Sequence, residues 1–371
     1  MGKMNRIGVL TGGGDCPGLN SVIRAVTKSA ISKYGMEVVG FLDGFKGLVE
    51  NDYIHLDLKT ISGIGYRGGT ILGSSNRDDP FNFLMIKDGQ QTFSDESERA
   101  ITNLKDLGLD GLIVIGGDGS LSIADRFYQK GISIVGVPKT IDNDLSATDV
   151  TFGFNTAVET ASEALDRLHT TAESHHRVMI LEVMGRYAGW IALHAGISGG
   201  AHVILIPEIP YQIENIINKI RQRQWHDKKF SIIIIAEGAT SLGGDLVVQK
   251  LVPESHDPIR LGGVGNQLAM EVGQMINIET RVTVLGHLQR GGSPIPYDRI
   301  LSVRYGVAAV EALVSGQSGS MVSLQGQHIV TVPIKEAIKQ LKKVDPVSDL
   351  VEAARAIGIS FGDIISTNIS D

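Results

Sequence analysis

The chain has 371 residues and a mass of 39.8 kDa, enough for two or three domains with buried cores and no covalent staples. Its 34 Lys and Arg against 41 Asp and Glu leave a net charge of −7, which argues against nonspecific nucleic-acid binding; its single cysteine, Cys16, excludes a disulfide framework and a CxxC zinc site and fits a reducing compartment. No apolar run reaches the ~18 residues that span a bilayer, the start lacks a signal peptide's apolar stretch, and Arg6 breaks the myristoylation pattern behind Gly2, so the expectation is a soluble cytoplasmic protein with neither membrane nor nucleic acid as a partner.

Residues 6–11 read as a buried strand, followed by a glycine turn, a helical pattern over 19–33 and a second strand over 36–42. A helix over 96–107 leads into a strand over 111–115 ending on Gly116-Gly117, then a helix over 120–130 and a strand over 132–137. Past Asp144 the alternation resumes, with helices over 154–172, 187–198, 211–224, 262–276 and 297–315 and strands over 177–183, 202–206, 231–236 and 281–285. Short apolar strands alternating with longer helices imply parallel sheets covered on both faces. The predicted fold is therefore α/β, with two doubly wound, Rossmann-like parallel-sheet domains and the active site in the cleft between them. Residues 1–152 with about 289–335 are assigned to one domain, 153–288 to the other, and about 336–371 to a helical extension with helices over 332–343 and 347–356. Segments 243–258 and 316–327 are Gly- and polar-rich and read as irregular surface loops.

The 45 glycines stand well above the ~7% average, and they cluster in loops that follow strands, where ligands bind in open parallel sheets. Gly12-Gly13-Gly14-Asp15-Cys16-Pro17-Gly18 opens the first helix, so its amides and the helix N-terminus suit a phosphate; a plain tight turn fits equally well. It is neither GxGxxG, because Pro17 stands at the last glycine, nor a P-loop, because Leu19 follows Gly18. Gly116-Gly117-Asp118-Gly119-Ser120 repeats the arrangement. Ser120 is the better-placed helix cap, which frees Asp118 to hold Mg²⁺ beside a polyphosphate. The third loop, Gly68 to Arg77, joins glycines to hydroxyls, Asn76 and Arg77. In Lys139-Thr140-Ile141-Asp142-Asn143-Asp144, two carboxylates two residues apart suit one metal contact and one proton acceptor. Met184-Gly185-Arg186 follows a strand, Arg281 opens one, and His287 and Arg290 sit in the Gly286–Pro294 block; arginine forks beside glycines match a dianionic phosphate. His175, His176, His194 and His202 lack metal-ligand spacing and read as structural.

In order, GGGDCPGLN, GGT-LGSS, GGDGS, PKTIDND, MGR-AGW and LGHLQRGGSP-YDR resemble the 6-phosphofructokinases of family A, over residues 6–315. The resemblance implies transfer of the γ-phosphoryl of MgATP to the 1-hydroxyl of fructose 6-phosphate, with 1–152 and 289–335 forming the nucleotide domain and 153–288 the sugar-phosphate domain. It makes Asp142 the general base, with Thr140 and Asp144 beside it, and Asp118 the Mg²⁺-associated aspartate. Gly13, Gly14, Asn76, Arg77, Gly117, Gly119 and Ser120 fall on the nucleotide. Arg186, with Met184 and Gly185, falls at the transferring phosphoryl group, Glu237 on a sugar hydroxyl, and Arg177, Arg281, His287 and Arg290 on the sugar phosphate. Because Arg177 and Arg281 would come from a neighbouring subunit, a homo-oligomer, dimer or tetramer, is implied.

Gly119 leaves room for the α-phosphate of a nucleotide, whereas Lys139 is typical of diphosphate users; the Gly/Lys pair resembles a mixed-substrate branch of the family. The loop arginine of the family aligns with Asn76, with Arg77 one place later. Of the arginine-rich effector site only Arg24 matches; Lys28, Leu58 and His169 replace the rest, so weak response to ADP and phosphoenolpyruvate is expected. The expected function is an ATP-dependent 6-phosphofructokinase. A diphosphate-dependent or dual-donor enzyme, another GGDG-type kinase and a non-catalytic sugar-phosphate sensor are the alternatives.

Overall fold

The computed structural model describes residues 4–87, 90–251 and 258–363. In chain order the first part runs β1 (Arg6–Thr11), α1 (Leu19–Tyr34), β2 (Glu37–Phe41), α2 (Phe45–Glu50), β3 (Tyr53–Leu56), β4 (Phe83–Lys87), β5 (Gln90–Ser94), α3 (Ser97–Asp106), β6 (Gly111–Gly116), α4 (Asp118–Gln129) and β7 (Ile134–Pro138). The second part runs α5 (Phe154–His175), β8 (Val178–Val183), α6 (Trp190–Ser198), β9 (Val203–Leu205), α7 (Ile213–Trp225), β10 (Ser231–Ala236), β11 (Val248–Leu251), β12 (Ile259–Leu261), α8 (Val264–Met275) and β13 (Thr280–Val284). A 3₁₀ turn over Gly286–Arg290 precedes α9 (Pro296–Val314), β14 (Ser320–Gln325), β15 (His328–Pro333), α10 (Ile334–Ile338) and α11 (Asp349–Ala356).

Two sheets result. One has seven strands in the order β15-β14-β7-β6-β1-β2-β3, parallel from β14 to β2 and antiparallel at both edges. The other has four parallel strands in the order β13-β8-β10-β9. The central strands β6, β8 and β10 are buried along their whole length, as uninterrupted apolar runs such as Ile232–Ile235 require. α1, α5, α6 and α9 share one continuous core that joins the inner faces of the two sheets. Separate apolar clusters cover the outer faces, one formed with α2, α3 and α4 and the other with α7 and α8. The α/β architecture read from the alternation is therefore present.

Three expectations need correction. Segment 316–327 is not an irregular loop: β14 lies inside the large sheet between β7 and β15. Its serines disguise a buried strand, because Ser320 and Ser323 satisfy their hydroxyls on the carbonyls of Gln317 and Ala147. The helix expected over 332–343 shrinks to the five residues of α10, because β15 continues to Pro333 and the chain after Lys339 turns to bond other loops. Segment 243–258 is only partly irregular: β11 pairs antiparallel with β12, while 252–257 lie outside the described residues.

Candidate active site

The first glycine loop leaves the end of β1. Gly13 adopts φ 80° and Gly18 adopts φ 111° as it enters α1, both in the region that favours glycine. The loop is pinned from two sides. Gly12 N donates to Ile115 O at 2.9 Å, and Gly13 N to Ser75 O at 2.9 Å. Ser74 Oγ donates to Thr11 O at 3.1 Å and also to Gly13 O, so the third glycine loop is fastened onto the first. β6 ends beside them, and α4 begins at Asp118 with Gly117 as its N-cap. The sequence reading placed the cap at Ser120; instead Ser120 is buried in the first turn, its side chain filling the space that Gly12 and Gly116 leave without Cβ atoms. The start of this 12-residue helix carries no side-chain cap, so its amides stay available to an anion.

The second set of loops follows β7, β8 and β10. Thr140 Oγ1 accepts from Asp142 N at 3.0 Å and lies 3.2 Å from Asp142 Oδ2, which fixes the carboxylate. Asp142 Oδ1 is buried with no hydrogen-bond partner, an arrangement that suits a carboxylate awaiting a donor. After β8, Arg186 adopts φ 51°, a strained conformation held by Arg186 N donating to Glu237 Oε1 at 3.0 Å. Gly238 packs its Cα against the Arg186 carbonyl, where any Cβ would overlap. The Arg186 guanidinium thereby reaches the start of α4, 3.3 Å from Asp118 Oδ1, and joins a loop of the small sheet to a loop of the large one.

Charge is crowded here. Burial and then the neighbouring Asp142 push Glu237 up to about 7. Burial, with Asp142 and Asp118 next, also raises Asp144 well above the usual carboxylate range, against the opposing pull of Arg186. Lys139 is buried under the first loop and donates to Gly14 O; burial lowers its pKa, opposed in part by Asp142 and Asp118. An Arg290 guanidinium fills the space beside Gly14, where a Cβ would overlap it.

One cavity of about 940 Å³ takes in both sets of loops. Of the residues expected at the site, Gly13, Gly14, Asn76, Arg77, Gly117, Asp118, Gly119, Ser120, Lys139, Thr140, Asp142, Met184, Arg186, Glu237, His287 and Arg290 line it. Asn76 and Arg77 both do so, from adjacent exposed positions. Asp144, expected beside Asp142 at the substrate, is 2% exposed and lies beneath the lining. Gly185 supports Arg186 from behind with φ 147°. Arg177 and Arg281 do not reach this cavity; both pair with Glu279 at the other end of β8 and β13. Sequence reasoning missed Glu182, Gln249, Lys250 and Arg260, which also line the cavity. Glu182 accepts from Gly263 N and Gly265 N, both at 2.8 Å, and so anchors the start of α8. Lys250 and Arg260 face each other across β11 and β12, whose short alternating patterns were the available signal. His202 Nδ1 accepts from Ile232 N at 2.8 Å, and burial pulls its pKa down to about 3; it is structural.

Among the described residues no group of three or more His, Cys, Asp or Glu converges as a metal cage. One exposed-edge carboxylate, Asp118, beside an open helix start instead fits a hard cation that brings phosphate oxygens and water as its other ligands.

A family model described as phosphofructokinase matches residues 6–313. The chain is 56% identical to "ATP-dependent 6-phosphofructokinase 2" of Clostridium perfringens, over 98% of this chain and all of the relative. It is 49% identical to "Pyrophosphate--fructose 6-phosphate 1-phosphotransferase" of Streptomyces coelicolor, over 96% of this chain and all of that one. Among solved structures, a phosphofructokinase of Saccharomyces cerevisiae superimposes with a TM-score of 0.78 at 30% identity, covering 97% of this chain and 47% of the yeast chain.

Proposed function

The chain belongs to the phosphofructokinase family, and from that premise we propose how its site works. It transfers the γ-phosphoryl group of ATP to the 1-hydroxyl of fructose 6-phosphate, giving fructose 1,6-bisphosphate and ADP. The nucleotide's phosphates lie along the glycine loops at 13–14 and 117–119, against the start of α4, with Asn76 and Arg77 at the rim. Asp118 would hold the Mg²⁺ that accompanies the nucleotide, and that ion would supply charge neutralisation of the phosphates. Asp142 accepts the proton of the sugar hydroxyl as that oxygen attacks the γ-phosphorus, and Thr140 keeps the carboxylate aimed. Arg186 leaves its pairing with Asp118 to donate to the equatorial oxygens of the transferring group. Glu237 accepts from a sugar hydroxyl, while His287 and Arg290 hold the 6-phosphate together with Arg177 and Arg281 of a neighbouring copy. Phosphoryl transfer demands positioning and charge stabilisation more than covalent chemistry, and this set supplies both.

The observation that carries the reading is the bridge from Arg186 to Asp118 inside a cavity that Asp142 also lines. It supports a donor and an acceptor meeting in line. ATP as donor is supported by Gly119, which adds no carboxylate where the α-phosphate would lie. The second reading, use of diphosphate, is favoured by Lys139, whose buried cation lies under the same loop. Assaying ATP and pyrophosphate side by side at matched concentrations separates them: we expect ATP to give at least tenfold the kcat/KM of pyrophosphate, and the reverse ratio overturns the ATP assignment. The division into a nucleotide domain (1–152 with 289–335) and a sugar-phosphate domain (153–288), the cytoplasmic location and the homo-oligomeric state belong to the same proposal; no helix among the described residues is long and apolar enough to cross a membrane.

A further inference from the structure

Residues 341–344 lie past α10 and past the residues that the family model matches. They touch loops from both sheets. On one side Lys342 N donates to Asp144 O at 2.7 Å, Leu341 bridges Leu145, and Ser146 Oγ donates to Gln340 O at 2.6 Å. Lys342 Nζ donates to Asn143 Oδ1 at 3.1 Å, Thr148 O at 2.9 Å and Asp149 O at 2.8 Å, which uses all three ammonium hydrogens. On the other side Trp190 Nε1 donates to Lys342 O at 2.9 Å, and Val344 N donates to Glu208 Oε1 at 2.8 Å. The same Glu208 carboxylate accepts from Gly189 N at 3.0 Å, three residues after Arg186.

The loop that carries Asp142 needs such a hold. Asn143 and Ala147 adopt φ 52° and 61°, a region that non-glycine residues keep only when their surroundings impose it. Asn143 Oδ1, besides meeting Lys342, accepts from Thr151 N at 3.0 Å, so one amide closes the loop on itself and on the ammonium. Burial pulls Lys342 down to about 8 against the opposing effect of Asp149 and Asp144, which leaves it mostly charged at neutral pH.

We propose that Lys342 is a positioning residue for the phosphoryl transfer: through Asn143 on one side and Trp190 on the other, it fixes the Asp142 loop relative to the Arg186 loop. This rests on the reading of Asp142 as the base. Lys342→Met keeps the stem and removes the donors. In the full-length enzyme we expect kcat to fall at least about 20-fold while KM for ATP and for fructose 6-phosphate each change less than about twofold. In an Asp142→Asn background the same substitution should add less than about twofold, because its effect runs through that carboxylate. Trp190→Phe, which removes only the indole donor, should lower kcat about three- to fivefold and serves if Lys342→Met does not fold. A kcat for Lys342→Met within twofold of the parent, an equal loss in both backgrounds, or a fully active Trp190→Phe when Lys342→Met gives no folded protein overturns the inference. Hydrogen exchange over residues 139–151, expected to be faster in Lys342→Met, reads the positioning without the reaction. A parent that fails to phosphorylate fructose 6-phosphate would instead defeat the assignment of Asp142, and unchanged exchange over 139–151 in Lys342→Met would then overturn the positioning role.

Discussion

Glu237 stands where burial and charge work against an ionised carboxyl. Its folded pKa is raised from 4.5 to about 7, by burial first and the neighbouring Asp142 second. A raised folded pKa means that stability is full below the unfolded value and is lost as pH rises from about 4.5 through about 7. The penalty above pH 7 is of order 3 kcal/mol. Glu237→Gln removes the charge and keeps an acceptor for Arg186 N. We expect its melting temperature to match the parent near pH 4.5 and to exceed it by several degrees at pH 8, while kcat/KM for the sugar phosphate falls. A melting-temperature difference that stays constant across pH 4.5–8 would show that the cost is not ionisation. Asp144 titrates in the same direction, for the same physical reasons. The residues that sequence alone identified, such as Asp118, Asp142 and Arg186, share one property: each follows a buried strand within a few residues. Lys250 and Arg260 do not, and only the short alternating patterns of β11 and β12 pointed to them; Lys342 does not either, and its type and spacing gave no signal.

α4 delivers Asp118, and its placement depends on a strand residue with no side chain. Gly136, in the middle of β7, faces Leu121 so closely that a Cβ there would lie 2.6 Å from Leu121 Cδ2. Gly136→Val must push α4 outward or strain its core, costing about 1–3 kcal/mol. We expect a lower melting temperature together with a severalfold rise in KM for ATP, and a smaller change in KM for fructose 6-phosphate. If KM for ATP stays at the parent value in folded protein, this contact does not set the helix position. The same strand shows why element reading failed at β14. β14 pairs with β7 at Ser320 and Met321, and its buried serines read as loop composition until their hydroxyls are seen bonded to nearby carbonyls.

The two sheets meet in one cavity, yet two of the expected phosphate ligands lie outside it. Arg177 and Arg281 share Glu279 at a solvent-facing edge, and the proposed function assigns them to the site of a neighbouring copy. Mixing two impaired variants tests this. Arg281→Ala should raise KM for fructose 6-phosphate about tenfold or more, and Asp142→Asn should lower kcat by about three orders of magnitude and leave a small measurable rate. Co-expressed or refolded together, they should recover sites that combine an intact Asp142 with an intact Arg281 from the other subunit. Activity no higher than the sum of the separate variants would mean that each subunit completes its own site. His169, at an expected effector position, is bonded through Nε2 to Gly199 O at 2.8 Å.

From the sequence alone came the alternation of buried strands and helices, the loops that must bear ligands, and the chemistry of the side chains in those loops. These are local properties, because an apolar run and a glycine turn act over a few neighbouring residues. The tertiary structure decided which of those loops face one another. It also decided which carboxyl is left buried without a donor, and which distant segment, from Leu341 to Val344, bonds to the loop that carries Asp142. Contacts between residues about 200 positions apart, such as Lys342 with Asn143, arise from packing of the whole chain and leave no periodicity or motif to read.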